Sequence, residues 1–142
     1  MYQHADITEK IISAFYQVYN TLGYGFLEKV YQNAMVLELR SRGLSVVARA
    51  PINVFYAGII VGEYYADLLV EGCVIVELKA AEAIASEHHA QLLNYLKATD
   101  IDIGLLLNFG PKPEIRRKIY DTARQRTSTS PTPSTANSTS TE

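Results

Sequence analysis

Asp67-Leu68-Leu69-Val70-Glu71-Gly72-Cys73-Val74-Ile75-Val76-Glu77-Leu78-Lys79 is the stretch that decides the fold. The runs on either side of Glu71-Gly72 are apolar and rich in β-branched residues, which suits two strands of a hairpin. Strand side chains alternate with period two, so Val74, Val76 and Leu78 share one face while Ile75, Glu77 and Lys79 share the other. A carboxylate and an ammonium therefore stand at the end of a core strand, where leaving water is costly unless the charges are paired or bind a metal. The loop decides what Glu77 faces. With a two-residue loop, Glu71-Gly72, Asp67 opposes Val76 and lies on the face away from Glu77. With a three-residue loop, Glu71-Gly72-Cys73, Asp67 opposes Glu77, their Cβ atoms within roughly 5 Å. Gly72 supplies the positive φ that the longer, bulged loop requires. Two carboxylates directly opposite repel unless a cation sits between them, and Mg²⁺ or Mn²⁺, hard ions that take oxygen ligands, are the candidates. The alternative is a solvated ion pair, Glu77 with Lys79, on a surface strand. The flanking Val74-Ile75-Val76 run argues instead for a central strand.

Upstream, Asp6 or Thr8 is placed to cap a helix whose Ile11, Phe15, Val18 and Leu22 step by four, three and four, ending at Gly23. A second helix is expected from about Phe26 to Gly43, carrying Leu27, Val30, Tyr31, Ala34 and Leu37. The period then changes. Leu44 to Ala50, Ile52 to Tyr56, Ile59 to Val70 and Cys73 to Lys79 read as successive strands, punctuated by Pro51, Gly58 and Glu71-Gly72. Downstream, Ser86 precedes a helix to about Ala98, and Ile103 to Phe109 is a continuous apolar run suited to a strand buried on both faces. Glu114 to Tyr120 fits either an edge strand or a short helix. The order predicts an α/β fold, a mixed sheet of four to five strands flanked by helices. Residues 127–142 are almost wholly Ser, Thr, Pro, Ala and Asn and predict a disordered tail behind a single domain, residues 1–126.

The chain has 142 residues, 48% of them hydrophobic, which is enough for one domain with a sizeable core. Its one cysteine, Cys73, excludes an internal disulfide and a Cys-rich zinc cage and favours a reducing, cytoplasmic setting. No apolar run approaches the ~18 residues of a spanning helix, so no membrane insertion is expected.

The pattern of Asp67 on one strand and Glu77-x-Lys79 on the next resembles the core motif of the PD-(D/E)XK nuclease superfamily, with Ala66 standing where the name has Pro. Gly25-Phe26-Leu27-Glu28-Lys29-Val30-Tyr31 resembles the Gly-x-x-Glu-x-x-Tyr motif of its small GxxExxY branch. Gly25 opens the helix, and Glu28 and Tyr31, three apart, project from one face. On the later helix Gln91 and Tyr95 resemble the Gln-x-x-x-Tyr pair that often follows the Glu-x-Lys strand, with His88 one step earlier on the same polar stripe. His88 and His89 have poor zinc spacing.

The resemblance implies a restriction-endonuclease-like core and a Mg²⁺- or Mn²⁺-dependent nuclease acting on nucleic acid, DNA foremost. Asp67 and Glu77 would hold the ion with help from Glu28 and the Leu78 carbonyl. Lys79 would position water and stabilise charge on the phosphate, and Gln91, supported by Tyr95, would orient a water or phosphate. Gly25, Tyr31 and His88 would support the site. Small nucleases of this kind often act as homodimers. The rival reading is a catalytically inactive module of the same fold that binds nucleic acid or a protein partner; a third is an interaction module whose carboxylates are structural.

A net charge of −2 is unusual for a protein that grips polyphosphate. It averages unlike parts. Residues 1–111 hold 7 Lys and Arg against 12 Asp and Glu, whereas residues 112–126 hold 6 against 2. Lys112, Arg116, Arg117, Lys118, Arg124 and Arg126 are thus the one basic stretch, and Arg116, Arg117 and Lys118 are the expected phosphate contacts. A solvated edge element with a charged linker is the plainer alternative.

Overall fold

The computed structural model describes residues 4–121. The predicted tail, residues 127–142, lies outside them, as do Arg124 and Arg126. Among the described residues eight elements follow one another: α1 (Ala5–Leu22), α2 (Glu28–Ser41), β1 (Val46–Tyr56), β2 (Ile59–Val70), β3 (Val74–Lys79), α3 (Ser86–Lys97), β4 (Ile103–Phe109) and β5 (Pro113–Ile119). The strands form one sheet in the order β1-β2-β3-β4-β5. All neighbours are antiparallel except β3 and β4, which are parallel. Parallel strands need a crossover connection, and α3 supplies it.

Two cores sandwich the sheet. On one face Ile11, Phe15 and Val18 of α1 and Tyr31, Met35 and Leu39 of α2 pack on Val74, Val76 and Leu78 of β3 and Ile103, Leu105 and Leu107 of β4. On the other, Leu92, Tyr95 and Leu96 of α3 pack on Ile75 and Leu106. Helix α3 sits close to the sheet because Gly104 has no side chain: a Cβ there would lie 2.6 Å from Leu92 Cδ1. Both faces of β3 are covered, so it is the central strand that its Val-Ile-Val run implied.

Several local expectations change. Asp6 and Thr8 lie inside the first turn of α1 rather than capping it: His4 holds the cap position, and the Thr8 hydroxyl donates to the Ala5 carbonyl at 3.1 Å. Helix α2 turns Tyr31, Met35 and Leu39 inward, leaving Leu27 and Leu37 exposed. Of the stripe expected from Leu27, Val30, Tyr31, Ala34 and Leu37, Tyr31 and Ala34 face the core, whereas Leu27, Val30 and Leu37 lie on the solvent side. Pro51 does not divide two strands. It sits within β1, an edge strand whose outer side needs no amide hydrogen. Glu114 to Tyr120 resolves as strand, paired to β4 from Ile103↔Ile119 to Phe109↔Pro113.

One irregularity matters for the site. Arg49 has φ of 54°, a left-handed conformation rare for a residue with a Cβ. Val46, Leu68 and Val70 below it belong to the α1/α2 core, whereas Ala50, Ile52 and Ala66 beyond it belong to the α3 core. Positions of the same parity thus change sides of the sheet. The β1–β2 hairpin twists at Arg49 and curls toward α3, and Asp67 lies at the pivot between Ala66 and Leu68.

Candidate active site

The loop between β2 and β3 is the three-residue one. Val70 pairs with Val74, Leu69 with Ile75 and Leu68 with Val76, and both Glu71 and Gly72 have positive φ, 54° and 66°. In this register the next rung is Asp67 opposite Glu77. The backbone ladder stops before it, and side chains take over: the Asp67 amide donates to Glu77 Oε2 at 2.9 Å, and the Leu78 amide donates to Asp67 Oδ2 at 2.8 Å. Gln32 Nε2 of α2 donates to the Asp67 carbonyl at 3.4 Å.

Glu77 is only 3% exposed. Burial, and then the charge of Asp67, push its carboxyl up to about 8, against the opposing pull of the Asp67 amide and Lys79. Asp67 is raised as well, chiefly by burial, with the Leu78 amide and Lys79 opposing. Glu28 raises both. A pair of carboxylates that burial and mutual repulsion make reluctant to ionise lacks positive charge.

Lys79 Nζ donates to Gln91 Oε1 at 3.3 Å, and Gln91 Nε2 donates to the Tyr95 hydroxyl at 3.1 Å. This chain links the β3 end to α3. Tyr95 is pushed up to about 12, first by burial and then by Glu77 and Asp67, which keeps its hydroxyl protonated. Its ring lies 5.8 Å from that of Tyr64 on β2.

Glu28, the first residue of α2, arrives from the opposite face, where its Oε2 accepts the Ala80 amide at 3.3 Å. Gly25 and Tyr31 deliver it. Gly25 has φ of 114°, open only to glycine. The buried Tyr31 donates to the Gly23 carbonyl at 2.6 Å, accepts the Phe26 amide at 3.2 Å and stacks on Phe109 at 4.2 Å. Tyr31 therefore shapes the loop rather than sharing a working face with Glu28.

Among the described residues no three His, Cys, Asp or Glu side chains form a ready-made cation cage. Glu28, Asp67 and Glu77 each place one oxygen on a backbone amide, and Glu28 stands on the flank of the other two. Asp67 and Glu77 still fit a hard divalent ion by their chemistry, since both are oxygen donors held together without sufficient positive charge.

Other expected residues lie elsewhere. His88 Nδ1 accepts the Ala85 amide at 3.0 Å, so His88 secures the start of α3. His89 is held below its ordinary value by burial and by Lys118 and Arg116. Arg116, Arg117 and Lys118 are on β5, two strand spacings or ~10 Å from β3. Arg116 aligns with Glu77 through Leu106, and Lys118 shares its face. Arg117 points the other way, donating to Thr8 Oγ1 of α1 at 2.8 Å.

Two residues that brace the segment beside the site escaped the sequence reading. Asn108, fully buried in β4, accepts the Ala81 amide at 2.9 Å and donates to the Ala81 carbonyl at 3.0 Å and to Glu114 Oε1 at 2.9 Å. Glu114 also accepts the Ile84 amide at 3.1 Å. Together they clamp the segment that leads from Lys79 to α3. The signal was available: an amide alone in an apolar run, with an acid six residues later.

A family model for the PD-(D/E)XK nuclease superfamily matches residues 5–118. The chain belongs to the PD-(D/E)XK nuclease superfamily. Its sheet and flanking helices form the restriction-endonuclease-like core of that superfamily, whose nucleases generally use divalent metal ions. Among solved structures, the chain is similar to an alkaline exonuclease, LHK-Exo, from Laribacter hongkongensis, at 13% identity and a TM-score of 0.50, covering 89% of this chain and 76% of that one. It is also similar to the protein SSO0001, at 14% identity and a TM-score of 0.49, covering 70% of this chain and 55% of that one. The chain thus spans little more than half the length of SSO0001. No curated protein matches the sequence. No helix among the described residues is long and apolar enough to cross a membrane.

Proposed function

We propose that this protein is a metal-dependent nuclease of the GxxExxY branch that hydrolyses phosphodiester bonds, in DNA foremost. The observation that carries the reading is the meeting of Asp67 and Glu77 at the end of the β2–β3 ladder, beside a lysine held from α3. Asp67 and Glu77 would hold Mg²⁺ or Mn²⁺, with Glu28 on the flank. A divalent ion there would neutralise phosphate charge and lower the pKa of a water. Lys79 stabilises the charge that develops on the phosphate as water adds to phosphorus and one P–O ester bond breaks, the departing oxygen taking up a proton. Gln91 fixes Lys79, and Tyr95 fixes Gln91. Arg116 and Lys118, on the sheet face that carries Glu77, serve as phosphate contacts. Residues 1–126 act as one domain, in a reducing cytoplasmic setting that suits the lone Cys73.

The protein works as a homodimer joined through the β1–β2 hairpin tip. Phe55, Tyr56, Ile59 and Val61 are each more than half exposed there, and Glu63 is the one charged residue between Ala50 and Ala66. At ~200 Å² per large side chain the exposed apolar surface of these four, summed over both faces of the tip, is on the order of 500 Å², against ~800 Å² for one partner's share of a standard interface.

The test is incubation of supercoiled, linear and branched DNA, and of RNA, with Mg²⁺ or Mn²⁺, beside Lys79→Ala. Cleavage by the wild type that the variant loses is expected. Binding without cleavage of any substrate would favour the inactive nuclease-fold module, whose support is the acidic balance.

A further inference from the structure

A cleft of about 250 Å³ opens one residue beyond Lys79, between the α1–α2 loop and the segment after β3. Tyr24 and Phe26 form one wall, Ala81 and Glu82 the other, and Phe109 and Gly110 lie at its base. It adjoins the candidate active site through Ala80, whose amide Glu28 accepts.

Side-chain hydrogen bonds anchor the backbone on either side of the cleft. Tyr31 ties the Gly23 carbonyl to the Phe26 amide, and Tyr19 donates to the Gly110 and Pro111 carbonyls at 2.8 and 3.0 Å. Gly110 is obligatory, because a Cβ would lie 2.3 Å from the Ala81 carbonyl oxygen. Yet Tyr24 and Phe26 stay 56% and 48% exposed. Large aromatic rings presented on a rigid rim, with Phe26 braced edge-on against Tyr31, suit a flat apolar ligand.

Charge narrows the ligand further. Glu82 is the one charged residue in the lining, and no Lys or Arg contributes to it. A phosphate would be repelled. A base that carries an exocyclic amino group offers both a π-face for the rings and an N–H for the carboxylate.

We propose that this cleft receives one amino-bearing nucleobase of the substrate strand, next to the phosphate that is cut. The inference rests on the nuclease reading and assigns it a base subsite. It also answers how an acidic protein holds a polyanion: part of the grip is stacking, which needs no positive charge.

The experiment is titration of a single-stranded DNA 12-mer containing 2-aminopurine, with Ca²⁺ as the divalent ion, read by fluorescence and by anisotropy of an end label. Quenching of 2-aminopurine on binding is expected, with quenching lost and affinity about 10-fold weaker in Tyr24→Ala/Phe26→Ala, given ~1–3 kcal/mol per stacked base. In Glu82→Ala the preference for the 2-aminopurine strand over one carrying unsubstituted purine at the same position is expected to be lost; an equal preference in wild type and variant would overturn the role given to the carboxylate. Binding with unquenched 2-aminopurine, equal in wild type and double variant, would overturn the base subsite and leave the nuclease reading standing. Binding to no oligonucleotide would overturn both, whereas failure of cleavage alone with quenching intact would remove only the nuclease activity. Both rings are on the surface, so a melting curve for each variant shows whether the fold persists.

Discussion

Asp67 and Glu77 each hold a backbone amide of the other's strand, Asp67 N–H to Glu77 Oε2 at 2.9 Å and Leu78 N–H to Asp67 Oδ2 at 2.8 Å. The exchange closes the hairpin end but leaves two buried carboxylates together. Glu77, at about 8, keeps in the folded state a proton that the unfolded chain releases near its ordinary 4.5. Its contribution to stability is therefore full below pH 4.5 and is lost as pH rises through 8, with Asp67 acting in the same direction. Denaturant unfolding in EDTA from pH 5.5 to 8.5 should show stability falling with pH. In Glu77→Gln the fall should be shallower, and at pH 8.5 the variant should melt higher than wild type, by roughly 5 °C for each ~1 kcal/mol gained.

A divalent ion should reverse that loss. Mn²⁺ at 100 times its dissociation constant stabilises by about 2.7 kcal/mol. The melting temperature of the wild type should rise accordingly at pH 8 and less at pH 6, where protons compete for the same oxygens. Asp67→Ala should show no rise at either pH. Equal shifts in the two proteins would place the ion elsewhere.

The β2–β3 register was legible because Gly72 constrained the loop and a one-residue slip would have turned Glu77 away from Asp67. The central position of β3 was legible from its Val-Ile-Val run. The switch of faces at Arg49 was not: period two holds only while the backbone stays extended, and nothing in Ala48-Arg49-Ala50 announces a left-handed residue. The solvent-facing Leu27 and Leu37 misled for a related reason, since hydrophobicity marks what can be buried but not which stripe will be. Site residues paired through side chain and backbone, such as His88 with Ala85 and Asn108 with Ala81, depend on contacts that spacing alone does not specify.

Asn108 should matter for both stability and activity. Removing its side chain leaves the Ala81 amide and carbonyl without their partner, at a cost of about 1–3 kcal/mol for each buried group left unsatisfied. Asn108→Ala should lower the melting temperature and, by loosening the segment after Lys79, reduce cleavage more than binding. Glu114→Gln keeps the acceptor oxygen and should retain most of the function. Comparison of KM with kcat in the two variants checks this.

Arg116 and Lys118 should separate from Arg117. The first two share the sheet face that carries Glu77, whereas Arg117 crosses to Thr8 of α1. Arg116→Ala/Lys118→Ala should reduce the slope of log affinity against log salt by roughly 1–2, since each phosphate contact releases about one counterion. Its melting temperature should stay within a degree or two. Arg117→Ala should leave the salt slope alone and cost about 1 kcal/mol of stability through the lost hydrogen bond. The reverse pattern would place the nucleic acid on the α1 side of β5.

The hairpin tip should decide the oligomeric state. Edge-to-edge joining of β1 is impeded by Pro51 and by the register shift between Val54 and Phe55. The copies should instead meet through hairpin faces, where Phe55 pairs with Ile60 and Tyr56 with Ile59. Sedimentation equilibrium should give a mass that rises with concentration toward twice the 15.8 kDa chain. Ile59→Glu and Phe55→Glu should return it to the monomer without lowering the melting temperature of the dilute protein, because both side chains are exposed in the single chain. A monomer at all concentrations in the wild type would leave the tip to a different protein, and each copy would then cut one strand alone.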